Sequence, residues 1–192
     1  MRGTRARMVA AAAGLFRDRG FDGTGFRDVV EAAGTTPGVI YHHFPGGKTE
    51  LGVAVTHAVG DRIAAGVEAV CSAMKPRDAV TGLLDIVEGN LLRGELRPGC
   101  PVVAIAMSSG DPDGTLRAAS DSFFTRVRSA ISECLVRDRV HRTDADAFAA
   151  LAVSACEGAI ILSRARGDSE PFDATRIALI QHVTYLTRKE TR

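Results

Sequence analysis

"GTGFRDVVEAAGTTPGVIYHHFPGGKTEL", residues 23–51, decides the fold. Thr24 can cap a helix that runs to Ala33, with Phe26, Val29 and Val30 facing inward. Gly34 ends that helix, and Thr36 can cap a second with Pro37 at its first position, where a missing N–H costs nothing. The second helix ends near Phe44, before Pro45-Gly46-Gly47. Two short helices joined by Gly34-Thr35 give helix-turn-helix geometry, in which the second helix enters the major groove of DNA. Gly47-Lys48-Thr49 also resembles the tail of a nucleotide-phosphate loop. That motif needs its first glycine at position 42, and the residue there is His42. The glycine amides that would cradle a nucleotide are missing, which leaves the phosphate of the DNA backbone as the better target.

On that reading the second helix presents Thr35, Thr36, free amides and the positive end of its dipole to a phosphate. Gly38 offers no side chain, so the groove wall can come close. Tyr41 and His42 follow one turn later as donors, and Lys48 adds a point charge. Arg2, Arg5 and Arg7 form a basic arm able to reach flanking backbone, while Val29, Val30, Ile40 and Phe44 hold the helices together. Taken singly, Tyr41 reads equally well as half-buried core and Lys48 as an ordinary solvated helix start.

The rest of the 192-residue chain is helical in its periodicity, with no sustained alternation, so the expected class is all-α. A first helix spans about residues 3–19, with Val9, Ala12, Ala13 and Phe16 on one face. After the quoted stretch a long helix is predicted from about Lys48 to Ala73, with Leu51, Val55, Val59, Ile63 and Val67 recurring every four residues. Lys75-Pro76 breaks it, and further helices carry Val80 to Leu91, "VVAIAMSS" (an ambiguous run, read as helix), Asp113–Asp138, Asp144–Arg166 and Phe172–Arg188. Helix layout alone suggests two domains, residues 1–47 and 48–192.

Hydrophobic residues make up 45% of the chain, charged residues 24%, and net charge is +1, so any nucleic-acid contact must come from a local patch. The N-terminal apolar run is short, alanine-rich and followed by Arg17-Asp18-Arg19, which argues against an export signal and for a cytoplasmic protein. No stretch approaches the ~18 apolar residues that span a bilayer, so no membrane partner is expected. The four cysteines, Cys71, Cys100, Cys134 and Cys156, are far apart and read as small buried hydrophobes. His42 and His43 diverge by ~100° on a helix and make no chelating pair, so no metal and no cofactor is expected. No G-x-S-x-G elbow or other catalytic arrangement is present, and the expected protein is not an enzyme.

"LFRDRGFDGTGFRDVVEAAGTTPGVIYHHFPGGKTEL" resembles the DNA-binding head of TetR-type transcriptional repressors, over about residues 5–55. The lead-in Phe16, Gly20, Phe21, Thr24, the Ala33-Gly34 turn and "YHHF" followed by a lysine carry the likeness. "PGGK" and "GCPVVAIAMSS" resemble the subgroup governing multidrug and lincomycin-type resistance. The resemblance implies three head helices and six in a ligand-binding, dimerising body. It implies that Thr24 contacts the DNA backbone, that Thr36, Pro37, Gly38 and Val39 face the groove, and that Tyr41, His42 and Lys48 clamp phosphates. Pro37 departs from a common lysine, Val39 from a common hydroxyl residue, and Gly25 from a frequent Ser or Thr. Val39 can touch a thymine methyl but cannot hydrogen-bond a base edge.

The resemblance also implies a four-helix homodimer interface from the last two helices. Its candidates are Ala152, Ala155 and Ala159 on one and Leu179, Val183 and Leu186 on the other, residues that read equally well as packing within one chain. Effector candidates are His57, Asn90, Ser108, Ser120, Arg126 and Glu157, polar residues set among apolar ones, with Met107, Phe123 and Phe124 as core or pocket wall. The expected function is a ligand-responsive repressor that binds a palindromic double-stranded DNA operator and is released by a small apolar or amphipathic effector. The alternative is a small-molecule carrier or all-helical enzyme with a vestigial head.

Overall fold

The computed structural model describes residues 3–93 and 99–189. Every regular element among them is helical: α1 (Thr4–Arg19), α2 (Phe26–Ala32), α3 (Pro37–His43), α4 (Gly47–Val55), a π turn (Thr56–Gly60), α5 (Asp61–Ala73), α6 (Pro76–Arg93), α7 (Pro101–Ala106), α8 (Thr115–Arg137), α9 (Arg142–Arg166) and α10 (Glu170–Lys189). Of the ambiguous "VVAIAMSS", residues 102–106 are helical with Pro101 at the first position, and Met107, Ser108 and Ser109 lie past the helix end. The chain divides into two compact units, Met1–Ile63 with Gly99–Phe123, and Ala64–Pro98 with Phe124–Arg192.

The first unit is built around Met8, Ala12 and Phe16 of α1, which meet Phe21, Val29, Ile40, Phe44, Leu51, Val55, Ile105 and Leu116 in one apolar core. Phe16 and Phe21 stack at a tilt with ring centres 5.0 Å apart. The core is close-packed at α4: a Cβ on Gly52 would lie 2.8 Å from Leu116 Cδ2 and 2.9 Å from Phe21 Cε2, so no larger residue fits without displacing them. Asp111 accepts from the amides of Leu116 (3.0 Å) and Arg117 (2.9 Å), satisfying donors that the start of α8 would otherwise leave open.

The expected long fourth helix is interrupted. A π turn at Thr56–Gly60 adds one residue to the spiral, so the four-residue spacing slips. Leu51 and Val55 are buried, but Ile63 is exposed and Gly60 and Ala64 take the inward positions. Gly60 packs against Phe123, whose Cδ2 would lie 3.0 Å from an added Cβ.

In the second unit α10 packs on α9 and α6. Phe148, Phe172 and Val183 are fully buried there, and the Phe148 ring meets His182 edge-on at 5.4 Å. Arg176 of α10 pairs with Asp85 and Glu88 of α6, and Lys75 reaches Asp138 at 2.6 Å. By length and a mean hydropathy of 1.7, α9 is apolar enough to cross a membrane, contrary to the expectation that no stretch comes near. Only 28% of that window is buried inside the chain, so much of its apolar surface faces outward.

Candidate nucleic-acid interface

The turn between α2 and α3 is fixed by backbone geometry. Gly34 has φ +60°, the left-handed region that side chains disfavour, and the amides of Gly34 and Thr35 donate back to Glu31 O and Val30 O, both at 3.1 Å. Thr36 occupies the cap of α3 in extended conformation, although its side chain makes no cap hydrogen bond. α3 then has two faces. Ile40 and Phe44, one turn apart, are buried; Pro37, Gly38, Tyr41 and His42 form the outward side, with Val39 half-buried between.

Three of the expected contact residues, Tyr41, Lys48 and Arg5, rest against aromatic rings. Tyr41 is 62% exposed, its ring held edge-on by Phe26 at 5.4 Å. The Lys48 ammonium lies 4.5 Å from the centre of the Phe21 ring and 3.4 Å from the Asp22 carbonyl oxygen that accepts from it. Partial burial lowers the Lys48 pKa, against the opposing pull of Asp22 and Asp28. Arg5 is exposed with its guanidinium 4.9 Å from the Phe44 ring centre. Arg5 and Arg7 belong to α1 rather than to a free arm, and Arg7 Nε donates to Ala33 O at 3.4 Å; Arg2 lies outside the described residues.

Thr24 departs from expectation. It is 1% exposed, and its hydroxyl donates to Gly20 O at 2.8 Å, closing the loop between α1 and α2. Gly25 is the cap of α2, and the Asp28 carboxylate reaches back to accept from its amide at 2.7 Å. A Gly-x-x-Asp spacing carries that signal, the acidic half of a capping box. Thr35 is half-buried. Sequence reasoning also missed Phe21 and Phe26 as supports, and the tether by which Asp22 accepts from both the amide and the hydroxyl of Ser109 at 2.9 Å. Those two hydrogen bonds, backbone first, hold the Asp22 carboxyl below the usual carboxylate range.

The effector candidates fall in different places. In the first unit His57 lies exposed in the π turn and Met107 is exposed. Ser108 Oγ is buried without a hydrogen-bond partner, Phe123 is buried beside Gly60, and Ser120 donates to Leu116 O at 2.8 Å. In the second unit Phe124 and Glu157 are half-buried, and Arg126 is engaged by both oxygens of Glu68, at 2.5 and 2.9 Å. The Asn90 side chain lies outside the described residues.

The dimer candidates are largely consumed within one chain. Ala152, Ala159, Leu179, Val183 and Leu186 are all buried in the single protomer, and only Ala155 is half-exposed. The apolar residues that α9 and α10 leave outside are others: Leu151 (46%), Ile161 (57%) and Leu162 (59%) on α9, and Ile177 (58%) and Tyr185 (62%) on α10. Leu151, Ser154, Ala155, Gly158, Ile161 and Leu162 follow the three- and four-residue spacing of a single helix face.

Two family models match the chain. "Bacterial regulatory proteins, tetR family" covers residues 8–55, and "Transcriptional regulator LmrA/YxaF-like, C-terminal domain" covers 76–177. A helix-turn-helix transcriptional regulator of Mycobacterium tuberculosis is 34% identical over 90% of each chain. The LmrA regulator of Bacillus subtilis is 24% identical over 88% of this chain and 90% of its own. A TetR transcriptional regulator from Legionella pneumophila superposes with a TM-score of 0.86 at 22% identity, covering 94% of this chain and 97% of the other. One from Chloroflexus aurantiacus gives 0.78 at 28% identity and 94% of each. A paired-helix head with buttressed outward groups, continued by a helical body, is thus found in a chain that belongs to the TetR family of ligand-responsive, helix-turn-helix transcriptional regulators.

Proposed function

We propose that this regulator is a repressor that grips a palindromic operator as a homodimer and lets go when a small apolar or amphipathic effector occupies its body. The outward face of α3 carries this reading. Pro37 and Tyr41, and Gly38 and His42, are pairs one turn apart, while Ile40 and Phe44 anchor the opposite side. A Cβ at Gly38 would meet nothing within 4 Å, so packing within the protein does not require a glycine there. Close approach of a groove wall supplies the reason the chain itself lacks. Tyr41, His42, Lys48 and Arg5 then contact phosphates, Thr35 and Thr36 lie beside them, and Pro37, Gly38 and Val39 face the bases. The reading head comprises residues 1–47 and the effector and pairing body residues 48–192.

The exposed apolar stripes of α9 and α10 support pairing. One short recognition helix grips few base pairs; two, spaced by one DNA turn of ~34 Å, combine their binding energies. Effector held in the body favours a state in which the paired helices no longer reach both half-sites. A coupling of about 1–3 kcal/mol gives ~5–150-fold release. The C-terminal match to an LmrA/YxaF-like model supports the finer placement among regulators of multidrug and lincomycin-type resistance.

Footprinting the purified protein on DNA flanking its own gene tests the reading. A protected inverted repeat, lost on adding an effector and weakened by salt, is the expected result. No retention at any salt concentration, together with turnover or tight sequestration of a small molecule, would favour a carrier or enzyme instead.

A further inference from the structure

Hydroxyls inside the helices of this chain follow one habit. Ser120 donates to Leu116 O at 2.8 Å, Thr175 to Pro171 O at 2.9 Å and Thr184 to Ile180 O at 2.7 Å, each one turn back. A buried hydroxyl left without such a partner costs more than the bond itself would contribute. Thr56 breaks the habit. It opens the π turn, is 2% exposed, and its Oγ1 has no hydrogen-bond partner. Ser108 Oγ, two residues past the end of α7, is buried in the same condition. Both belong to the first unit, where α7 packs on the π turn. The remaining unpartnered buried hydroxyl among the described residues, that of Ser163, is in the second unit.

The two hydroxyls stand in apolar company. Val55 of α4 and Val102 and Ile105 of α7 are buried, and the Phe123 ring lies against Gly60 at the far end of the turn. An ion brought in among such groups would lose its hydration with little in return, so the surroundings suit a neutral ligand. Each hydroxyl is also next in sequence to an exposed residue, Thr56 to His57 and Ser108 to Met107, so solvent is one residue away. π turns recur at functional sites, where a wider spiral is kept despite its poorer backbone geometry.

We propose that Thr56 and Ser108 are the hydrogen-bonding end of the effector site, and that they take a neutral oxygen, hydroxyl or carbonyl, on an otherwise apolar small molecule. The assignment rests on the effector reading above and gives that site its residues and its ligand chemistry. Each hydroxyl both donates and accepts, so the pair serves either oxygen function. The bonds offered to the ligand are ones the chain alone does not make, so the stability lost at these positions is recovered on binding. The position also matters for DNA. Ser109, next to Ser108, holds the Asp22 carboxylate through its amide and hydroxyl, and the Asp22 carbonyl accepts from Lys48. A ligand that draws on Ser108 therefore acts one residue from the tether of a proposed phosphate contact.

The test sets 2-naphthol against 2-methylnaphthalene, one ring system carrying a hydroxyl or a methyl, on the full-length protein by fluorescence titration and thermal melting. The wild type is expected to bind the naphthol ~10-fold or more tightly than its methyl analogue. Thr56→Val, which keeps the shape, and Ser108→Ala should each narrow that preference several-fold, while Thr56→Ser, which keeps the hydroxyl, should preserve it. Without probe, Thr56→Val and Ser108→Ala should melt ~2–4 °C above wild type, since an unpaired buried hydroxyl is gone. Ser120→Ala, which removes a paired hydroxyl, should not. If one variant fails to fold, the other decides together with the wild-type preference. Equal affinity for the two probes, binding of neither, a preference unchanged in the variants, or variants melting below wild type would each overturn the proposal. Salt-dependent DNA retention by the wild type, measured alongside, separates the two readings. Retention without the probe preference removes this site alone, whereas lost retention removes the operator reading itself.

Discussion

The outward face of α3 and the outward faces of α9 and α10 are both open to solvent, and they are made in opposite ways. On α3 the one large exposed side chain, Tyr41, ends in a hydroxyl and stands among Pro37, Gly38 and His42. On α9 and α10 the exposed large hydrophobics are Leu151, Ile161, Leu162, Ile177 and Tyr185, set among exposed polar residues, and those of α9 share one face. Isolated, donor-tipped groups suit a hydrated, charged ligand whose backbone must be approached closely. Contiguous apolar stripes suit a partner offering the same kind of surface. Under the proposed function, the difference matches the α3 face to DNA and the α9 and α10 faces to a second copy of the chain.

Charging the exposed face of α9 should do the most damage. Ile161→Asp combined with Leu162→Asp is expected to give a monomer in sedimentation and a loss of DNA affinity of ~10²-fold or more, since two heads no longer act together. A variant that stays dimeric would move the seam elsewhere. Next comes the interior of the first unit. Gly52→Val drives atoms into Leu116 and Phe21 and should cost about 1–3 kcal/mol, read as a lower urea midpoint. The α3 end is sharpened by Lys48→Ala, which should weaken binding several-fold at every DNA sequence and flatten the slope of log K against log salt by ~0.9. An unchanged slope would take Lys48 out of the interface.

The smallest effect is in pH. Asp22 has a depressed folded pKa because Ser109 donates to it, first through its amide and then through its hydroxyl. The tether therefore contributes above the unfolded value of about 3.9 and is lost as pH falls through the lower folded value. Wild type and Asp22→Asn should differ slightly in thermal midpoint at neutral pH and converge below about pH 4.

The head was legible because its signals are local. Gly34 and Pro37 mark the turn and the start of α3 by backbone restrictions that act within one residue. Even there Asp28 closes the helix start from three residues downstream, and Thr24 turns inward. The body was legible only as a set of helices. α9 is apolar on more than one side, so periodicity alone did not say which stripe meets α10 and which remains free. Ala152 and Ala159 face into the chain while Ile161 and Leu162 do not. At the π turn the sequence offers only Gly60, and a single glycine inside a helical pattern is too weak a signal to mark an extra residue.

That surplus residue makes the stretch from Leu51 to Cys71 sensitive to arithmetic more than to chemistry. Buried positions are 51, 52, 55, 56, 60, 64, 67 and 71: the line through 51 and 55 gives way across the turn to the one through 56, 60 and 64. Conservative replacements between Thr56 and Gly60 leave the count intact. Removing one residue would return the turn to ordinary α-helix and leave Ala64, Val67 and Cys71 on their line, whereas adding a second that the turn does not absorb would rotate everything beyond it by ~100°. For this segment length is the inherited constraint, and composition comes second.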